Sequence, residues 1–130
     1  MLTADEIKLV LTKTPSDIAL LCRATLECLP RLSELLALKR EHIGARWIEI
    51  RRKRGVERVD LTPELQALLL ARAGRHDYVF VGKTGEPPTQ ESVSSYITRV
   101  MRAIGLPGVS HHTMRHTGVT LMLEAGVNRA

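Results

Sequence analysis

Residues 45–61 read ARWIEIRRKRGVERVDL, and they break the period that the rest of the chain keeps. From Ala45 to Arg52 the residues alternate, with Trp47 and the β-branched Ile48 and Ile50 among them. After Lys53-Arg54-Gly55 the alternation resumes from Val56 to Leu61. Period two, bounded by a short basic turn with a glycine, predicts a β-hairpin with Lys53 near its tip.

Outward from the hairpin the pattern is helical. Thr3-Ala4-Asp5-Glu6 forms a capping box ahead of Ile7, Val10 and Leu11, which predicts a first helix running to about Lys13. Thr14-Pro15-Ser16 breaks it. A more buried helix follows, with Ile18, Leu20, Leu21, Ala24 and Leu26, and ends before Pro30. RLSELLAL, residues 31–38, resumes helical spacing and sets Arg31 at the start of a short helix. On the other side, Thr62-Pro63-Glu64 opens a helix with proline at its first position. YVFV, residues 78–81, predicts a short strand, and residues 82–88 a loop. Thr89 or Gln90 then opens a helix that Gly105 closes, and Ser110 caps a last helix that Gly126 ends. The expected class is α+β, mainly α-helical.

The 130 residues are 44% hydrophobic and 25% charged, the proportions of one soluble domain. Nineteen Lys and Arg against 14 Asp and Glu give a net charge of +5. The segment Lys39 to Arg58 holds eight basic residues and three acids, so its excess alone equals the net charge of the whole chain. From Ser92 to Leu123 no acid occurs, while Arg99, Arg102, Arg115, His111, His112 and His116 do. Such focused charge suits a polyanion, and a solvated basic hairpin beside an ordinary helix fits it equally. At 3% aromatics there are too few rings for binding single strands by base stacking. No apolar run reaches the length of a bilayer span, and the acidic, amphipathic start is unlike a signal peptide. Cys22 and Cys28 stand six apart without a C-x-x-C or a metal-ligand cluster, which predicts buried reduced thiols and an intracellular, cytoplasmic protein. Gly82-Lys83-Thr84 falls short of a phosphate-binding loop because position 77 is Asp rather than Gly. His112 and His116 are spaced as in a zinc helix, yet position 113 is Thr and no third ligand is evident, so no metal and no cofactor are expected.

In SHHTMRHT, residues 110–117, His112 and Arg115 lie three apart at the start of a helix. This sets a proton-handling group beside a planar cation that binds phosphate through two parallel hydrogen bonds, with the helix N-terminus adding donors. An anion site and a plain surface helix with one buried histidine are both compatible with that spacing. Arg115, on a polar face, should be removable without loss of the fold.

RLSELLAL, RRKRGVERVDL and HHTMRHT, in that order, resemble the catalytic domain of the tyrosine recombinases, or phage integrases. The similarity runs from Leu2 to Ala130 and includes TGEPPTQESVSSYITRVMRAIGL. It implies a helical bundle with a small antiparallel β-hairpin at one side, and a single domain over residues 1–130. It implies that Arg31 and Arg115 clamp a scissile DNA phosphate, that Lys53 protonates the leaving 5′ oxygen, and that His112 binds the phosphate or takes a proton. Glu34 and His116 would orient the arginines. Lys39, Arg40, Arg51, Arg52, Arg54 and Arg58 would contact DNA. The partners implied are double-stranded DNA and further copies of the chain, as a tetramer on two duplexes, with no membrane and no metal.

Two departures stand out. Where the family usually has glycine two residues before its first arginine, this chain has Leu29 followed by Pro30. The family also continues past the HHTMRHT helix to a second His or Trp and then the tyrosine nucleophile, whereas this sequence ends at Ala130. Tyr78 and Tyr96 both precede Arg115 and read as packing residues. The chain is therefore expected to be a truncated catalytic domain, inactive alone. The alternative is a non-catalytic DNA-binding remnant or regulator.

Overall fold

A computed structural model describes residues 1–82 and 84–126. Lys83, inside the expected 82–88 loop, and residues 127–130, at the end of the resemblance, lie outside the described residues. The elements are helices α1 (Ala4–Lys13), α2 (Ser16–Cys28) and α3 (Leu32–Leu36), strands β1 (Trp47–Arg52) and β2 (Gly55–Asp60), and helices α4 (Pro63–Ala73), α5 (Gln90–Ala103) and α6 (His111–Glu124). One turn of 3-10 helix, Arg40–His42, precedes β1.

The helix starts follow from their caps. Thr3 Oγ1 accepts from Glu6 N at 3.2 Å while Glu6 Oε1 accepts from Thr3 N at 2.9 Å, satisfying two N-terminal donors reciprocally. Thr62, Thr89 and Ser110 cap α4, α5 and α6 through side-chain oxygens, with Pro63 at the first position of α4. Leu35, Leu65, Leu69, Ile97, Met101 and Met114 meet with Val10 and Ile48 in one core. The hairpin joins it through one face: Ile48, Ile50 and Val59 are buried, while Arg51 and Arg58 point outward.

The pairing runs from Trp47↔Asp60 to Arg52↔Gly55, which leaves Lys53 and Arg54 as a two-residue turn. Gly55 takes φ 130°, a value that side chains resist. Two strands alone are marginal in water, so this ribbon depends on its packing against α3 and the core.

The YVFV strand does not form. Tyr78 makes only an isolated bridge with Lys39, flanked by Arg40 N to Asp77 O at 2.7 Å and Val79 N to Leu38 O at 3.1 Å. Its partner turns into the 3-10 helix at Arg40, so the ladder has nowhere to continue. Val79 and Phe80 are buried all the same, which accounts for the apolar run. The same pairing ends α3 at Leu36, short of Leu38.

Candidate functional site

The chain leaves α2 through Leu29, the one non-glycine residue with positive φ among the described residues (φ 61°, ψ 39°). This left-handed residue ends the helix, with its N–H on Thr25 O at 3.0 Å, and Pro30 prevents any continuation. Arg31 follows as the N-cap of α3, with an exposed side chain. Its backbone N–H is held by Glu34 Oε1 at 2.7 Å. Glu34 thus fixes the main chain of Arg31, and its other oxygen, Oε2, lies 3.7 Å from Arg52 Nε on the hairpin.

Helix α6 approaches the same junction from a distant part of the sequence. Arg115 is half-buried, and its Nε donates to the Leu29 carbonyl at 3.1 Å across 86 residues of chain. That carbonyl sits at the C-terminal, partly negative end of α2, a favourable place for a guanidinium. One turn earlier, His111 Nε2 lies 2.9 Å from Thr25 Oγ1. The single hydroxyl proton of Thr25 goes to Leu21 O at 2.8 Å, so His111 is the donor and carries its proton on Nε2. Burial, with Arg115 and then His112 adding repulsion, pushes the His111 pKa down to about 4. It is a structural, neutral histidine.

The third contact on this face is Gly118. A Cβ there would stand 2.5 Å from Leu29 Cδ2 and 3.0 Å from Leu26 O, so only glycine lets the helices come this close. His111, Arg115 and Gly118 follow one helical stripe. His112 and His116 fall off it and are exposed, as Arg31 is. Ser110 tightens the start of α6, accepting from Thr113 N at 3.3 Å.

The expected site residues are therefore partly brought together. Arg115 bonds the Leu29 carbonyl two residues before Arg31, Glu34 holds the backbone N–H of Arg31 while the Arg31 side chain stays exposed, and His112 stands in the first turn of the helix that carries Arg115. Lys53 stands at the exposed hairpin turn. His116 is exposed one position after Arg115, its carbonyl taken by Thr120 Oγ1 at 2.9 Å. The basic segment divides. Arg51, Lys53 and Arg54 are exposed around the tip, and Arg52 turns inward. Arg58 stacks 4.0 Å from the Trp47 ring centroid on the outer face. Lys39 lies over the Tyr78 ring, and Arg40 Nη2 donates to His76 O at 3.2 Å, so these two are fastened to the 76–78 segment.

Sequence reasoning missed the anchoring roles of His111 and Arg115. The signal was present as the spacing 111, 115, 118, with a glycine at the third place. Cys22 and Cys28 are buried, and burial raises the Cys22 thiol to about 12, which makes it unreactive. Among the described residues no helix is long and apolar enough to cross a membrane.

The phage integrase family model matches residues 1–130. Among solved structures the chain superposes on XerA recombinase with a TM-score of 0.81 at 22% identity, covering 98% of this chain and 52% of that one. On the Tn1549 transposon integrase in complex with transposon right end DNA the TM-score is 0.83 at 18% identity, covering 98% and 54%. On a lambda integrase tetramer bound to a Holliday junction it is 0.77 at 19% identity, covering 98% and 44%. At these identities the likeness is one of fold, and the chain spans about half the length of those structures. No curated protein sequence matches it.

Proposed function

The chain belongs to the phage integrase family, and from that premise we propose that it supplies the phosphate-activating face of a site-specific recombinase that cuts and rejoins double-stranded DNA. One observation supports this reading: Arg115 reaches across 86 residues of chain to the Leu29 carbonyl, two residues from Arg31, whose backbone Glu34 fixes at the start of α3. The guanidinium of Arg115, held by a main-chain carbonyl, and that of Arg31, open to solvent on a fixed backbone, are the donors for the non-bridging oxygens of a phosphodiester, where negative charge builds up as phosphorus becomes pentacoordinate. His112, exposed at the start of α6, hydrogen-bonds the same group or accepts a proton from the attacking hydroxyl. Lys53 protonates the 5′ oxygen as its bond to phosphorus breaks.

The attacking group is a tyrosine oxygen, which forms a 3′-phosphotyrosyl bond that the next 5′ hydroxyl reverses. Tyr78 stands against Lys39, and Tyr96 lines a cavity with Ile18, Leu36 and Phe80. Both read as packing residues rather than as the nucleophile. By likeness to the lambda integrase tetramer on its Holliday junction, the working form is a tetramer on two duplexes. The buried thiols fit a reducing, cytoplasmic setting.

The test uses the natural gene product that contains these residues and a nicked duplex bearing its site. A covalent protein–DNA adduct is expected, lost by at least roughly a hundredfold in Arg31→Ala and Arg115→Ala. DNA binding with no adduct from the parent protein would overturn catalysis and leave a DNA-binding regulator. No binding at low salt would overturn both.

A further inference from the structure

Of residues 51–56, Arg52 alone is not exposed. Alternation explains why: with Ile48 and Ile50 it occupies the face of β1 that looks inward, while Arg51 looks out. Its side chain is 27% exposed, and Nη1 pairs with Glu57 Oε2 at 3.0 Å across the ribbon. The remaining edge of the guanidinium, Nε and Nη2, is buried and makes no hydrogen bond. That edge is the one that grips a carboxylate side-on. The group it faces is Glu34, 10% exposed, with Oε2 3.7 Å from Nε. The distance is right for an ion pair and too long for a hydrogen bond. Through its other oxygen the same carboxylate holds the backbone of Arg31.

The tip has little else to hold it. Val56 is exposed, and the last buried apolar side chain on β1 is Ile50. We propose that Arg52 is a positioning residue that works through Glu34: it straps the turn bearing Lys53 to the helix start bearing Arg31, and closing the pair to hydrogen-bonding distance draws Lys53 toward the phosphate. The inference rests on the roles given above to Arg31 and Lys53. It moves Arg52 from the surface residues that contact DNA to the interior of the site, and assigns Glu34 a second task.

The test has two arms, both on the chain as it stands. In the first, amide exchange is followed at Arg52 and Gly55, which pair across the turn. Arg52→Gln and Glu34→Gln should each speed exchange roughly tenfold, and the double variant should be no faster than either single one. Gln at 34 keeps an acceptor for Arg31 N, so the α3 cap survives. Arg51→Gln removes the same charge from the outer face and should leave exchange unchanged. In the second arm, acetylation of Lys53 is read by mass spectrometry with and without saturating mixed-sequence duplex at low salt. DNA should shield Lys53 in the parent and in Lys13→Gln, which removes an exposed charge at the end of α1, and fail to shield it in Arg52→Gln. Additive exchange rates, or an Arg52→Gln variant that exchanges like Arg51→Gln or keeps Lys53 shielded by DNA, would overturn the strap. A parent Lys53 that DNA does not shield would overturn the placement of Lys53 at the phosphate, while the exchange arm still reads the coupling.

Discussion

A leucine at position 29 does two incompatible things well. Its backbone occupies the left-handed region, which costs a side-chain-bearing residue about 1 kcal/mol, while its side chain is buried against Gly118. The usual ranking of small residues should therefore invert. Leu29→Gly and Leu29→Ala both lose buried contacts, yet the glycine variant should be the more stable of the two by about 1 kcal/mol in urea unfolding. Equal stabilities would show that the backbone is relaxed. Arg115→Ala should lower stability by about 1 kcal/mol through loss of its bond to Leu29 O, and still fold. That is more than its place on a polar face suggested. His111 sets a pH dependence. Its pKa falls from 6.5 in the unfolded chain to about 4 in the folded one, so the unfolded chain binds the extra proton. The stability it contributes is whole above pH 6.5 and is lost as pH falls toward 4, by about 3 kcal/mol if the site is fully lost. His42, lowered by burial, acts with the same sign. Denaturant midpoints between pH 7 and 4 should fall steeply in the parent and less steeply in His111→Asn.

Helix α6 is clamped to α2 by His111, Arg115 and Gly118 along one stripe. Gly118→Ala should cost about 1–3 kcal/mol, because the opposing Leu26 carbonyl is backbone and cannot step aside. A melting temperature unchanged in that variant would mean that the helices separate freely. The helices were legible in the sequence because each begins with a cap and keeps an apolar period: α1 ends at Lys13 and α5 opens after Thr89, as read. The hairpin was legible because its period differs. YVFV misled because burial without a pairing partner has the same composition as a strand. Arg31, Lys53, His112 and Arg115 are proposed for the site on their order and resemblance alone. What escaped was direction: spacing does not say that Arg115 reaches back to a carbonyl, or that Arg52 faces a carboxylate.

Over the whole molecule, charge is concentrated where packing is thin. Arg51, Lys53 and Arg54 crowd an exposed tip, with Arg46 exposed at the foot of the ribbon. If about four of these cations meet phosphates, affinity for duplex DNA should fall roughly a hundredfold between about 50 and 200 mM salt. Arg54→Gln should lower the slope of log affinity on log salt by about one. Fluorescence anisotropy over a salt series checks both, and a flat profile would exclude an electrostatic interface. The hairpin also begins and ends at one place, where Leu61 N bonds to Arg46 O at 2.9 Å. A segment whose two ends already touch is a cassette. Ribbons with other charges on their outer face can be spliced in at that neck while α2 and α6 stay clamped to each other, provided that Arg52 keeps its place opposite Glu34.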